Sequence, residues 1–183
     1  SSAASDVYKR QGGYLIEFWL KPAVVALGVP LYLQLEAIKK QLVPILLSQL
    51  AGCIIGVVSV VVIAKLMGAP QEIIYSLAPK SVTTPIAMEV ADTLGGIPAL
   101  TAAVVVCVGL LGSIIGIKTL KLTRIKSPIA QGLSLGAAAH AVGTSTAMDI
   151  SSKYGAYASL GLTLNGIFTA LLTPTILRLL GLL

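Results

Sequence analysis

The sequence predicts an all-α, polytopic membrane protein with an internal duplication, arranged as inverted repeats with broken or re-entrant helices. Three observations predict it. Of the 183 residues, 56% are hydrophobic and only 11% charged, against about 25% charged in a soluble domain. Four runs of 22 to 25 residues carry no Asp, Glu, Lys or Arg. Between these runs lie two polar, Pro- and Gly-marked segments that match each other 60 residues apart.

The first observation sets the class. So few charges cannot wet a whole surface, which argues against a soluble enzyme and against a disordered or fibrous chain. Aromatic residues are only 5%, so nucleic acid is not an expected partner. The net charge, 13 − 7 = +6, reads instead as basic loops on one side of a membrane. Cys53 and Cys107 stand inside apolar runs without a CxxC or a nearby His, and read as small hydrophobes.

Residues 1–11, SSAASDVYKRQ, are polar and aperiodic, and are expected to be a non-native or unstructured leader. Residues 12–183 are expected to form one transmembrane domain. Its first apolar segment joins YLIEFWL to Pro22–Leu35, with Tyr14 and Trp19 suited to an interface belt. The uncharged runs Gln41–Ala64, Thr93–Ile117, Ser127–Met148 and Tyr154–Leu177 follow. At 1.5 Å per residue, each is long enough for a hydrocarbon core of about 30 Å.

Two segments are poor lipid-facing helices. Ser127–Met148 is built from Gly, Ala, Ser and Thr, which suit close packing inside protein. Gln71–Leu94 holds Glu72, Lys80, Glu89 and Asp92, with Pro79 and Pro85 around KSVTT. A shift of 60 aligns Gln71 with Gln131, Val82 with Val142, Thr84 with Thr144, Met88 with Met148 and Gly95 with Gly155. Glu89 meets Asp149, and TPIAMEV lies over TSTAMDI. Repeat units of about 71–118 and 131–178 are expected.

Basic loops orient them. Lys118, Lys121, Arg124 and Lys126, together with Lys39 and Lys40, are placed in the cytoplasm. The run from Gln41 then goes outward and the run ending at Ile117 comes inward. Gln71–Leu94 must therefore enter and leave on the outer side, as a hairpin. Gln131–Lys153 starts from the cytoplasmic loop and dips in from the other side. Such an inverted pair with two broken tips is a transporter arrangement. Kinked but fully crossing helices, giving parallel repeats, are the alternative.

The tips carry the chemistry. Pro79 is expected to end one short helix and Pro85 to begin the next, capped by Thr84. Gly143 is expected to break the second segment, with Ser145 or Thr146 as cap. Free amides, helix dipoles and side-chain donors would then make a carboxylate cradle. Its members would be Lys80, Ser81, Thr83, Thr84, His140, Thr144, Ser145 and Thr146. Glu89 and Asp149, one turn past each tip, are candidates for ion or proton coupling. Each has a plainer reading. Ser and Thr bond back to the preceding turn, His140 packs as a polar residue, Lys80 snorkels, and the carboxylates cap loops. Asn165 reads as interhelical glue. No catalytic motif is present, and neither a metal nor another cofactor is expected.

PAVVALGVPLY, PKSVTTPIAMEV, GGIPALTA and HAVGTSTAM together resemble the bacterial LrgB/CidB family over about Gly12–Leu183. Family chains carry further N-terminal hydrophobic sequence, so the chain is expected to be part of a longer protein. The resemblance implies two functions. Some members are holin- or antiholin-like modulators of murein hydrolase export and autolysis, beside a small LrgA/CidA-like membrane partner. Others resemble carriers of small carboxylates: pyruvate in bacteria, glycolate and glycerate in a plastid relative. Two matched broken tips suit a carrier better than a lesion. The expectation is therefore a multi-pass carrier of small monocarboxylates in the bacterial inner membrane, homo-oligomeric, with H⁺ or Na⁺ coupling. The holin/antiholin-like role is the alternative.

Overall fold

A computed structural model describes residues 39–183, together with Tyr32 and Glu36. The expected leader, the interface aromatics Tyr14 and Trp19, and all of the Tyr14–Leu35 apolar segment but Tyr32 lie outside the described residues. Among the described residues every regular element is a helix. They are α1 (Leu42–Leu66), α2 (Gln71–Leu77), α3 (Thr84–Leu94), α4 (Pro98–Leu122), α5 (Pro128–Ile150) and α6 (Ser152–Leu179).

Among the described residues, only α1, α4 and α6 are long and apolar enough to cross a membrane. They correspond to three of the four uncharged runs. Large apolar side chains on their outer faces, such as Leu47, Ile55, Leu111, Ile114 and Leu171, are exposed, as a lipid-facing surface requires. The fourth run became α5, which is not straight. Ala139 (φ −120°, ψ 15°) and His140 (φ 43°, ψ −130°) interrupt it. A Cβ on Gly143 would collide with the carbonyl oxygen of Leu135. In a continuous helix those residues would stand about 12 Å apart. Leu135 and Ala147 also share one buried cluster with Leu120 and Ala158. Thus α5 is a hairpin of two short arms.

The second hairpin comes from α2 and α3. The chain turns after Leu77, and α3 starts beyond Thr83. Gly95, at φ 83°, closes α3 and reverses the chain into α4; the left-handed conformation there favours glycine. The start of α4 then returns to α2. Ile97 N–H donates to Ser76 Oγ (2.7 Å), and Thr101 Oγ1 donates to the Ser76 carbonyl (2.9 Å).

Buried clusters place the two hairpins at opposite ends of the bundle. Ala64, Tyr75 and Leu182 pack together at one end, where Tyr75 also donates to the Leu182 carbonyl. Ile45, Leu133, Tyr157 and Leu160 pack toward the other. The α2–α3 hairpin opens at the first end and α5 at the second. Lys39–Lys40 and the basic loop before Ser127 also share the second end, because Gln41 and Ser127 line one cavity.

Three local expectations are corrected. Thr83, extended at φ −63° and ψ 146°, is the N-cap of α3, so Pro85 takes the second helical position; the Thr83 side chain makes no cap hydrogen bond. The α5 break falls at Ala139–His140 and not at Gly143. Ser145 and Thr146 sit within the returning arm and cap nothing. The bend at His140 is held from outside the helix, as described below, and a glycine is not needed to make it.

Candidate functional site

Glycines let the α5 hairpin sit deep in the bundle. A Cβ on Gly136 would collide with the backbone of Ala158 on α6, and one on Gly112 of α4 with Ala139. Backbones can approach this closely only where side chains are absent. The first, incoming arm of α5 is therefore pressed against α6, and its tip against α4.

Asn165 of α6 meets both breaks. Its buried side-chain amide donates to the carbonyl of Ser81 (2.8 Å) and to that of Ala137 (3.0 Å). These carbonyls belong to the ends of the incoming arms, where helical partners have run out. In an apolar interior each would otherwise go unpaired.

Beside Asn165 lies a cavity of about 560 Å³ between α1, α5, α6 and the first tip. Lys80 and Ser81 line it, with Ala78, Ala137 and Ala138 from the arm ends. The α1 wall contributes Ser48, Gln49, Gly52 and Cys53; α5 contributes Ser134, and α6 Thr169. Lys80 Nζ donates to Ser81 Oγ at 2.9 Å. Among the described residues no carboxylate pairs with Lys80. The Cys53 thiol and the Thr169 hydroxyl stand 3.4 Å apart and satisfy each other.

The expected site residues divide. Lys80 and Ser81 come together in this cavity; Thr83, Thr84, His140, Thr144, Ser145 and Thr146 are not among its lining residues. His140 is buried, with Nε2 2.8 Å from the carbonyl oxygen of Val105 on α4. Gly109 leaves room for that ring, since a Cβ there would lie 2.7 Å from Nε2. Thr144 is fully buried and donates to the His140 carbonyl (2.9 Å). Thr146 donates to the Val142 carbonyl (3.0 Å). Thr83 and Thr84 are half-buried and Ser145 is exposed. Glu89 and Asp149 stand exposed on the returning arms, outside the cavity.

The polarity of the tips also differs from expectation. The cavity meets the carbonyl ends of the incoming arms, and the amide ends of the returning arms are not among its walls. Sequence reading missed the α1 wall entirely. Its signal was present in Ser48, Gln49 and Gly52, polar and small residues on an otherwise apolar run. Among the described residues no three His, Cys, Asp or Glu side chains converge on a possible metal.

A family model for the LrgB-like family matches residues 3–179. The chain belongs to the LrgB-like family. The match begins within the segment read above as a leader. Two similar proteins of Bacillus subtilis are named uncharacterized protein YwbG and uncharacterized protein YxaC. YwbG is 42% identical over 166 residues, 91% of this chain and 74% of the relative. YxaC is 39% identical over 165 residues, 90% and 72% respectively. A protein of Bacillus mycoides named antiholin-like protein LrgB is 36% identical over 170 residues, 93% of this chain and 74% of its own length. No solved structure matches the chain. This LrgB-like chain is a membrane protein by family and by its three apolar helices.

Proposed function

We propose that this LrgB-like protein is a multi-pass carrier of small monocarboxylates, of the pyruvate, glycolate or glycerate class, in the bacterial inner membrane. One observation carries the reading. Lys80, a cation without a carboxylate partner among the described residues, lines an intramembrane cavity where two broken hairpins meet. An ionisable residue at such a place is costly and marks a ligand path by default. A volume of about 560 Å³ lies in the usual range for small-molecule sites. The carbonyl ends of two arms bring roughly half a negative charge each, but Asn165 engages two of those carbonyls. The full charge of Lys80 then favours an anion.

The reading is non-enzymatic and uses no cofactor. It includes H⁺ or Na⁺ coupling through Glu89 and Asp149, self-association, and a small LrgA/CidA-like membrane partner. The test is uptake of radiolabelled pyruvate and glycolate into proteoliposomes holding the purified chain, beside release of a larger trapped dye. Saturable uptake without dye release is the expected result. Dye release without selective uptake would overturn it.

The printed name of the Bacillus mycoides relative, antiholin-like protein LrgB, favours a second reading: the holin/antiholin-like role that the family resemblance implies, in murein hydrolase export and autolysis. Lysis timing in cells lacking or overproducing the chain tests that role. A Lys80→Met variant that loses uptake but keeps its effect on lysis would separate the two.

A further inference from the structure

We propose that Gln49 is the specificity-determining residue of the Lys80 cavity, reading a hydroxyl on the carboxylate that Lys80 holds. The inference rests on the carrier reading and deepens it. Gln49 lines the same cavity from α1, and is 5% exposed. Its Oε1 is buried and has no hydrogen-bond partner among the described residues. Buried amide oxygens are nearly always paired, and an orphan in a native structure calls for a reason.

The neighbouring polar groups do not supply one. The Ser48 hydroxyl donates to the Ile45 carbonyl (2.9 Å). Cys53 and Thr169 satisfy each other, and the Asn165 amide already holds two carbonyls. The other orphan among the described residues, the Ser159 hydroxyl, is not part of the cavity wall. Gln49 is thus, among the described residues, the cavity residue whose buried side-chain acceptor has no partner. Its oxygen gives up no hydrogen bond when the side chain turns inward, so only a rotamer change stands between it and a ligand. Lys80 has three donors and Ser81 takes one, leaving two for a carboxylate. A ligand that bridges the two walls therefore carries an anionic end for Lys80 and an O–H for Gln49.

Lactate and propionate isolate the second contact, because they share a carbon count and a charge and differ by one hydroxyl. Their uptake is compared in proteoliposomes holding the wild-type chain, Gln49→Leu or Gln49→Met. The wild type should prefer lactate. Both variants should cut that preference about tenfold or more, since a site lacking the partner loses the hydrogen bond and no longer penalises the analogue. Propionate uptake should hold or rise. Removing an orphan should also leave the thermal midpoint in detergent unchanged or higher, which shows that the variants are folded. A preference that survives in both variants overturns the assignment to Gln49 while leaving the carrier reading intact. If the wild type takes up neither acid, the carrier reading itself falls.

Discussion

Asn165 and Ser81 are 84 positions apart and joined by a 2.8 Å hydrogen bond from side-chain amide to backbone carbonyl. The same amide nitrogen reaches Ala137 at 3.0 Å. One residue on α6 thus satisfies the loose ends of two hairpins that enter from opposite ends of the bundle. Asn165 is 3% exposed. Asn165→Leu should leave two carbonyls unpaired, at about 1–3 kcal/mol each. Asn165→Asp should be worse, because an ionised carboxylate only accepts and would face two acceptors. Thermal unfolding in detergent checks the order: wild type, then Leu, then Asp. An Asp variant as stable as wild type would show that the two bonds do not hold the tips.

A second prediction concerns His140. Its φ of 43° with ψ of −130° lies where side chains are strained, at about 1–3 kcal/mol. The ring bond to Val105 helps to hold it there. His140→Ala and His140→Gly both lose that bond, but only glycine removes the strain. Glycine normally costs a helix about 0.5–1 kcal/mol relative to alanine. At this position the order should reverse, with the Gly variant melting higher than the Ala variant. The normal order would mean that the break is not held at this residue.

The glycines give a contrast within one residue type. Gly136→Ala should destabilise severely, because the new methyl meets the Ala158 backbone, which cannot rotate away. Gly52→Ala should be neutral or stabilising, because nothing among the described residues lies within 4 Å of the added carbon and alanine favours helix by about 1 kcal/mol. Equal effects would contradict the tight α5–α6 contact.

These positions also show what could be read from sequence. The three spans were legible because each is a run of more than 20 residues without charge, a signal that needs no tertiary context. The α5 segment was legible as unusual from its small residues, yet its break was misplaced by three positions. Glycine is the usual local breaker, whereas this bend depends on the Val105 carbonyl of another helix. The register of the two segments held a better clue, since His140 aligns with Lys80 beside Pro79. The cavity was half legible. Lys80 and Ser81 belong to it, but its other wall comes from α1, and no local pattern announces that three distant helices will enclose a space. Thr144 was chosen as a ligand donor for its hydroxyl, and the structure ties that hydroxyl to its own helix.

That reassignment changes the expected mutational pattern. Lys80→Met should abolish saturable carboxylate uptake, because no other cation among the described residues lines the cavity. Thr144→Val should leave it near normal, since Thr144 is fully buried and bonded within its own helix. Ser48→Ala is no longer a neutral control, because Ser48 lines the cavity. Ser59→Ala, on the exposed side of α1 and bonded to the Gly56 carbonyl, serves instead. Loss of uptake in Thr144→Val with Lys80→Met active would move the site away from this cavity.

The last prediction fixes the membrane orientation. The Lys39–Lys40 pair, and Lys121 at the end of α4 with the loop carrying Arg124 and Lys126, lie at the same end of the bundle, since Gln41 and Ser127 line one cavity. A shared end means that one side of the membrane receives both basic clusters, and the positive-inside bias makes that side the cytoplasm. Thr119 and Thr123 are exposed beside this loop, and each hydroxyl bonds only to carbonyls of the preceding turn. Cysteine should therefore be tolerated at either position. With Cys53 and Cys107 replaced by alanine, Thr119→Cys and Thr123→Cys should resist a membrane-impermeant maleimide added to intact cells. Both should label once the membrane is opened. Gln71→Cys, at the opposite end where the first hairpin opens, should label from outside without opening. Fast labelling at Thr123→Cys and protection at Gln71→Cys would turn the whole bundle over. The opposed hairpins would then stand unchanged, but the end of the cavity lined by Gln41 would face the outside.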